Sequence, residues 1–141
     1  MTACIFCKII EGTIPSAKIY EDEHVIAFMD IMPVTKGHTL IIPKTHRENI
    51  YDLTEEEAAQ LFSVVPKITN ALKDEFKPSG MNLLQNNGAS AGQAVFHFHL
   101  HLIPRYDETD GFQPTFKTNE AESDKERIQE IAQSIRTKLR N

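Results

Sequence analysis

The segment Phe96–Ile103 constrains the fold more than any other part of the chain. Its residues alternate between histidine and apolar types, reading Phe-His-Phe-His-Leu-His-Leu-Ile. A period of two is typical of a β-strand whose two faces meet different environments. We therefore predict a strand over Val95–Ile103. Its polar face would carry His97, His99 and His101, and its apolar face Phe96, Phe98, Leu100 and Leu102.

Three histidines on one strand face predict a functional site. Their rings would lie about 7 Å apart along the strand, close enough to serve one substrate. A purely structural role is disfavoured, because burying several imidazoles costs free energy unless each is hydrogen-bonded. Two functions remain open from the pattern: the histidines could ligate a catalytic metal, or one could act as a nucleophile that its neighbours orient.

The loop that enters this strand, Asn86–Ala94, is rich in Gly, Asn and Ala. Small residues allow backbone N–H groups to approach an anion closely. A plain surface turn is the alternative interpretation of the loop. Next to a histidine strand, the loop favours phosphoryl chemistry.

A long helix is predicted from Thr54 to Phe76. Thr54 and Glu57 have the spacing of a capping box, and apolar residues follow at helical spacing. Pro66 removes one backbone hydrogen bond, which predicts a kink.

A second helix is predicted over Asp124–Leu139, where Ser123 and Glu126 repeat the capping spacing. Residues 106–121 show no clear periodicity, and we expect an ordered loop or a flexible flap there.

The strand candidates and short turns predict an α+β fold. Tyr20–His24 has the composition of a hairpin turn. Because helices are few and short turns join most strands, we expect an antiparallel sheet of about five strands with helices on one face. No repeat or linker divides the chain, so we expect residues 1–141 to form one domain. The predicted strands are Lys18–Tyr20, His24–Met29, His38–Ile42, Met81–Gln85 and Val95–Ile103.

Charge and hydropathy exclude several classes of partner. The net charge of −5 argues against nucleic-acid binding, which usually needs a basic patch. No apolar run approaches the roughly 20 residues that span a bilayer. The first residues lack the basic head and apolar stretch of a signal peptide. We therefore expect a cytoplasmic protein that binds neither nucleic acid nor membrane.

The segment His97–Ile103 matches all seven positions of the motif His-φ-His-φ-His-φ-φ, where φ is apolar. The chain thereby resembles the histidine triad (HIT) family, and the likeness extends from Cys4 to Arg105. It is closest to the bacterial members of the branch that hydrolyses nucleoside phosphoramidates and related nucleotidyl conjugates. The resemblance implies a HIT-like fold with one long central helix and a C-terminal helix. It also implies a homodimer, in which the long helix and one strand of each subunit join the sheets.

The resemblance implies a role for each histidine of the site. His99 would attack the α-phosphorus of a nucleotide and form a covalent nucleotidyl-imidazole. The backbone carbonyl of His97 would hold the far ring nitrogen of His99. His101 would help to protonate the leaving group and position the phosphate, and His38 would line the same pocket.

The resemblance also implies a nucleotide-binding set. Asp30 would bind the ribose hydroxyls, while Phe28 and Ile31 would flank the base. Asn86 and Gln93, with backbone amides of the loop, would bind the phosphate and leaving-group side. Ala94 stands where many members carry Ser or Thr, so the hydroxyl contact to the phosphate would be lost or replaced by water. The implied set comprises Phe28, Asp30, Ile31, Asn86, Gly92, Gln93, Ala94 and Val95, together with His99 and His101.

Cys4 and Cys7 form a C-x-x-C pair, which fits either a metal site or a redox pair. No thioredoxin-like βαβ pattern surrounds them. Zinc-containing relatives, including galactose-1-phosphate uridylyltransferases, imply that the pair joins His46 and His97 in a closed, structural Cys₂His₂ zinc site. Reduced, metal-free thiols are the alternative.

The sequence therefore leads to a hydrolase that cleaves the P–N or P–O bond at the α-phosphate of a purine nucleotide conjugate. Dinucleoside polyphosphate hydrolysis is the second candidate within the same chemistry. A metallohydrolase and a non-catalytic nucleotide sensor are the candidates from other classes. The sensor gains support if Ala94 has slowed turnover.

Overall fold

The computed structural model describes residues 4–139. These residues form one sheet, with one α-helix before its strands, one between them and one after them. Two short 3₁₀ turns, at Ala89–Ala91 and Glu120–Glu122, lie in the loops. The elements in chain order are α1 (Ile5–Glu11), β1 (Lys18–Glu21), β2 (Val25–Met29), β3 (Thr39–Pro43), α2 (Glu55–Phe76), β4 (Gly80–Gln85), β5 (Leu100–Arg105) and α3 (Lys125–Lys138).

The sheet has five strands in the order β1-β2-β3-β5-β4, and every neighbouring pair is antiparallel. β1 and β2 form the predicted hairpin, and β4 lies at one edge. The predicted α+β fold with an antiparallel five-stranded sheet and a long helix is confirmed. The predicted strands other than β5 begin and end within one residue of the observed ones.

The long helix α2 covers one face of the sheet. The capping box is present: Glu57 N–H donates to Thr54 Oγ1 (3.1 Å), and Thr54 N–H donates to a Glu57 carboxylate oxygen (3.0 Å). The helix continues through Pro66. Each buried aliphatic side chain on its inner face contributes roughly 1.5–3 kcal/mol. The buried residues of this face are Leu61, Val64, Val65, Ile68 and Leu72, packed against Val25, Ala27, Ile41, Phe98, Leu100 and Leu102.

The short helix α1 covers the opposite face of the sheet and was not predicted. Successive residues of a strand point to opposite faces, and Ile26 and Phe28 of β2 pack with Phe6 of α1 rather than with α2. The expectation of helices on one face was therefore wrong. Cys4 caps the start of α1, and Gly12, in the left-handed region at φ 85°, ends it.

The strand predicted over Val95–Ile103 is observed as β5 over Leu100–Arg105. His97 and His99 lie in the extended segment before the strand begins, so this boundary was wrong. The predicted alternation of side chains persists in part, because Phe98 lies in the α2-facing core. Phe96, predicted to fill the same core, is 43% exposed.

The C-terminal helix α3 occupies most of the predicted range. Its cap is Asp124, whose carboxylate accepts from Arg127 N–H (3.1 Å), rather than Ser123. No residue of α3 is buried, and its apolar side chains Ile128 and Ile135 are exposed. Across residues 4–139, no helix combines the length and the hydropathy needed to cross a bilayer.

Candidate active site

The ring of His99 is held by a backbone group next to it in sequence. Nδ1 of His99 lies 2.8 Å from the carbonyl oxygen of His97. A carbonyl only accepts hydrogen bonds, so Nδ1 carries the proton of the neutral ring and Nε2 carries the lone pair. The side chain is buried, with 6% of its surface exposed. His99 therefore presents one defined nitrogen as a base or nucleophile.

A second chain of hydrogen bonds fixes the proton of His101. The backbone N–H of Val34 donates to Nδ1 of His38 (3.2 Å), which places the proton of neutral His38 on Nε2. That nitrogen lies 2.8 Å from Nδ1 of His101 and donates to it. Neutral His101 then carries its own proton on Nε2. Adjacent rings thus have complementary roles, because His99 offers a lone pair and His101 offers an N–H.

Burial keeps these rings neutral. It lowers the pKa of His99 below its ordinary value, and it lowers the pKa of His38. Burial, followed by the neighbouring His99 and His38, lowers the pKa of His101 to about 4. The carboxylate of Asp30 acts in the opposite direction on all three rings. Near pH 7 the site is therefore a set of neutral imidazoles beside one carboxylate.

Phe6 connects α1 to the histidines. Its ring packs edge-on against His99, with centroids 5.2 Å apart, and against His97 at 6.0 Å. It also contacts Phe28 at 5.5 Å. Phe6 was not predicted as a site residue, because α1 is too short to show helical periodicity.

A cavity of about 370 Å³ opens beside His99 and His101. Seven of the ten residues predicted to bind nucleotide line it, whereas Asn86, Gly92 and Gln93 are not among its lining residues. Most of the remaining wall comes from α1 and the segment after it, neither of which was predicted to lie at the site. The lining residues are Ile5, Phe6, Ile9, Ile14, Pro15, Ser16, Phe28, Met29, Asp30, Ile31, Met32, Leu40, Ala94, Val95, His99 and His101.

Gln93 organises the loop before the histidines. Its Oε1 accepts from Gly88 N–H (2.7 Å), and its Nε2 donates to the carbonyls of Glu48 (2.6 Å) and Val95 (3.0 Å). Both polar ends of this buried side chain are therefore bonded to backbone. Phosphate binding by Gln93, Asn86 and Gly92 stays a prediction.

Asp30 lies at the junction of the cavity and the histidine chain. Its Oδ1 accepts from Met32 N–H (2.7 Å), while Oδ2 lies 3.5 Å from Nε2 of His38. The first bond fixes the carboxylate, and the second oxygen remains directed toward the histidines. Ile31, next in sequence, is largely exposed at the cavity wall.

A second cluster brings together Cys4, Cys7, His46 and His97, whose ligand atoms all lie within 4.8 Å of one another. Nδ1 of His97 lies 3.4 Å from Sγ of Cys4, 3.6 Å from Sγ of Cys7 and 3.1 Å from Nδ1 of His46. Sγ of Cys7 lies 3.3 Å from the same nitrogen of His46. These four side chains, all predicted as ligands, form a cluster that could hold a metal ion.

The protonation pattern of the cluster suits a cation. Nε2 of His97 donates to the carbonyl of Pro43 (2.9 Å), so the lone pair of the neutral ring is on Nδ1 and faces the thiols. Burial lowers the pKa of His97 to about 4. Burial, with the adjacent Cys4, raises the pKa of the Cys7 thiol to about 11. A bound metal would reverse that effect, since a coordinating thiol is deprotonated by the ion.

The three triad histidines do not converge on one point. Nδ1 of His97 faces the cysteines, whereas Nδ1 of His99 is bonded to a carbonyl. Ligand atoms of Asp30, His38 and His101 also lie within 4.8 Å of one another. However, Nε2 of neutral His38 is protonated and has no lone pair for a metal. This geometry disfavours a metallohydrolase centre at the triad.

The comparisons with known proteins agree with this architecture. The model of the HIT domain matches residues 11–108, more than half of the chain. Protein hit of Bacillus subtilis is 60% identical over 136 residues, covering 96% of this chain and 94% of that protein. The crystal structure of a HIT family protein from Bacillus anthracis superposes with a TM-score of 0.95 at 59% identity, covering 98% of each chain. The chain belongs to the HIT family.

Two relatives carry names that state an activity. Adenosine 5'-monophosphoramidase hnt1 of Schizosaccharomyces pombe is 44% identical over 109 residues, covering 77% of this chain and 79% of that protein. Adenylylsulfatase HINT3 of Arabidopsis thaliana is 45% identical over 102 residues, covering 72% of this chain and 52% of that protein. The family thus includes hydrolases that act on adenylyl conjugates.

Proposed function

We propose that this chain hydrolyses nucleotide conjugates at the α-phosphorus through a covalent nucleotidyl-His99 intermediate. The observation that carries the proposal is the 2.8 Å contact between Nδ1 of His99 and the carbonyl of His97. This contact leaves the lone pair on Nε2, beside a cavity large enough for a nucleoside. A neutral imidazole with one fixed nitrogen is a suitable nucleophile for phosphorus.

In the first step, Nε2 of His99 bonds to phosphorus as the bond from phosphorus to the leaving nitrogen or oxygen breaks. The leaving atom takes up one proton. A bound anionic phosphate favours the protonated form of His101, as Asp30 already does. Nε2 of protonated His101 then delivers its proton to the leaving atom, and the ring returns to the neutral form in which its Nδ1 accepts from Nε2 of His38.

In the second step, water attacks the nucleotidyl-imidazole and His99 leaves. The water oxygen bonds to phosphorus, one of its protons returns to the histidine system, and His99 is again neutral. The carbonyl of His97 stabilises the positive charge that the ring carries between the two steps. The net reaction consumes one water for each bond cleaved.

The nucleoside moiety would occupy the largely apolar cavity. Phe28 and Ile31 would contact the base, and Asp30 would bind the ribose hydroxyls, as carboxylates do in dinucleotide sites. We favour purine nucleoside phosphoramidates as substrates, in line with the monophosphoramidase among the relatives. Dinucleoside polyphosphate hydrolysis is the alternative substrate class, and a non-catalytic nucleotide sensor is the alternative role.

We further propose that the cluster of two cysteines and two histidines binds a structural Zn²⁺. Zn–S bonds of about 2.3 Å and Zn–N bonds of about 2.0–2.1 Å give a tetrahedron with N···S edges of about 3.5 Å and an N···N edge of about 3.4 Å. The observed N···S distances of 3.3–3.6 Å and the N···N distance of 3.1 Å fit these edges. When bound, the ion would hold α1 against the segment before β5.

A homodimer remains part of the proposal. β4 is an edge strand, and an edge strand offers backbone groups that a second copy can pair with. The resemblance places the long helix and one strand of each subunit in the interface, and Leu83 of β4 and Phe62 of α2 are exposed apolar residues. A cytoplasmic location also remains a prediction.

The test is a rapid-quench reaction with adenosine phosphoramidate labelled at phosphorus. We expect an alkali-stable, acid-labile adenylyl group on His99, and none on a His99→Ala variant whose circular dichroism matches the parent chain. A substrate panel with diadenosine polyphosphates and nucleotide sugars, compared by kcat/KM, assigns the substrate class. Turnover without any trapped adduct would contradict the covalent route, and nucleotide binding without turnover of any conjugate would support the sensor.

A further inference from the structure

His97 belongs to the cluster of Cys4, Cys7, His46 and His97, which we call the cysteine cluster. It also contacts His99 at the candidate active site. Its Nδ1 belongs to the cysteine cluster, and its carbonyl oxygen accepts from Nδ1 of His99. The same residue therefore lies between a set of oxidisable thiols and the ring that the proposed function makes the nucleophile. A shift of His97 changes the position of that carbonyl directly.

The sheet does not hold this carbonyl in place. β5 begins at Leu100, and its first pair with β3 joins Leu100 to Ile41. The segment before it is held by the bond from Phe98 N–H to the carbonyl of Arg47, by the buried Phe98 side chain and by the two ring nitrogens of His97. One of those nitrogens contacts only the cysteine cluster among the residues described.

Cys4 and Cys7 flank two residues of α1 that line the cavity. Cys4 caps α1, and its Sγ accepts from Cys7 N–H (3.2 Å). Between them, Phe6 packs on the ring of His99, and Ile5 lines the cavity with it. The cysteine cluster is thus connected to His99 in two ways. The His97 carbonyl accepts from His99, and Phe6 packs on the His99 ring.

We propose that Cys4, Cys7 and His46 are positioning residues for His99, and that oxidation of the two thiols switches the site off. The reaction joins the sulfurs of Cys4 and Cys7 in a disulfide. It passes two electrons to a peroxide, which takes up two protons and leaves as two waters, and any metal ion held by the thiolates is released. Cys4 is partly exposed and Cys7 is buried. The Cys4 thiolate would therefore attack the peroxide first, forming a sulfenic acid with release of one water, and the Cys7 thiol would displace the second water as the disulfide closes.

The C-x-x-C spacing permits this bond. Residues three apart at the start of a helix have Cβ atoms about 5–6 Å apart, and disulfides need about 3.5–4.5 Å, so the first turn of α1 must tighten. That movement changes the contacts that the two sulfurs make with Nδ1 of His97 and displaces Phe6. A displacement of about 1 Å at a reacting group can lower a rate about 100-fold.

The experiment follows the zinc-loaded chain during treatment with hydrogen peroxide. We expect release of one zinc per chain to a chromogenic chelator, a Cys4–Cys7 disulfide in peptide mass spectra, and a shift of the ¹⁵N-histidine signal of the His99 Nδ1–H group. Circular dichroism should stay unchanged. The kcat for adenosine phosphoramidate should fall about 10- to 100-fold with a smaller change in KM, and dithiothreitol with added zinc should restore it.

The matched control is Cys4→Ser, which cannot form the disulfide. Its activity, relative to its own untreated level, should be insensitive to peroxide. An equal loss in this variant would place the oxidation elsewhere, for example on the cavity methionines, and would overturn the switch. A disulfide that forms without any shift of the His99 signal would also overturn it.

The predicted loss of activity rests on the proposed function, whereas the predicted shift of the His99 signal does not. If the reduced chain turns over no conjugate, the proposed function fails. The disulfide, the zinc release and the His99 signal still decide whether the thiols position that ring.

Discussion

Nε2 of His38 lies 2.8 Å from Nδ1 of His101, and the backbone N–H of Val34 bonds to the other nitrogen of His38. These contacts connect a turn between β2 and β3 to the face of β5 that carries the candidate active site. They determine which nitrogen of His101 carries the proton before any substrate arrives.

Replacing His38 tests this arrangement. We expect His38→Leu to lower kcat/KM at least about 10-fold, because general acid catalysis by an oriented group contributes about 10²- to 10⁴-fold. His38→Gln can still donate to His101, so it should lose less activity. Steady-state kinetics with both variants provides the measurement. Equal losses in the two would show that the hydrogen bond donated to His101 does not contribute to activity.

Stability should depend on pH through His101. Burial lowers its pKa to about 4 in the folded chain, against about 6.5 when unfolded. Between these values the unfolded state binds more protons, so the free energy of unfolding rises with pH. The contribution is complete above about pH 6.5 and is lost as the pH falls toward 4, at up to about 1.4 kcal/mol per pH unit. Urea unfolding at several pH values should show a smaller slope for His101→Gln.

Ala94 offers a gain-of-function test. It lines the cavity, where the family resemblance places a hydroxyl against the phosphate. One new hydrogen bond to a charged group is worth about 1.5–3 kcal/mol. We therefore expect Ala94→Ser to raise kcat/KM about 10-fold or more, with Ala94→Gly as a control that adds no donor. No gain with the serine variant would mean that another group already makes this contact.

Gln93→Ala should destabilise the loop. The substitution leaves Gly88 N–H and the carbonyls of Glu48 and Val95 without their partner. Each lost hydrogen bond costs about 0.5–1.5 kcal/mol, so we expect the free energy of unfolding to fall by roughly 1–4 kcal/mol. Thermal or urea unfolding measures it. An unchanged stability with a raised KM would instead favour the predicted contact between Gln93 and the phosphate.

The sequence predicted the elements whose signals are long or chemically specific. α2 has twenty-two residues, a capping box and regular apolar spacing, so its limits were accurate. The histidine pattern predicted the side-chain alternation in part. It did not predict the hydrogen bonding, because an extended segment alternates in the same way whether or not it pairs. This is why β5 was placed several residues too early.

The parts that the sequence missed depend on tertiary contacts. α1 has seven residues and is capped by a cysteine, which is not among the usual N-cap residues. Its position against the sheet follows from packing of Phe6 on Phe28 and from its place beside His97, and neither contact leaves a local signal. Most of the cavity wall was missed for the same reason.

Successive residues of β2 face opposite sides of the sheet, so mutations in this strand affect one side or the other. Val25 and Ala27 belong to the core under α2, while Phe28, one residue later, lines the cavity. Changes on the α2 side alter the free energy of unfolding, whereas changes on the α1 side would also alter the cavity proposed to bind the nucleoside. A lineage carrying this fold can therefore acquire new ligands by varying α1 and its neighbours while the helix-packed core stays the same.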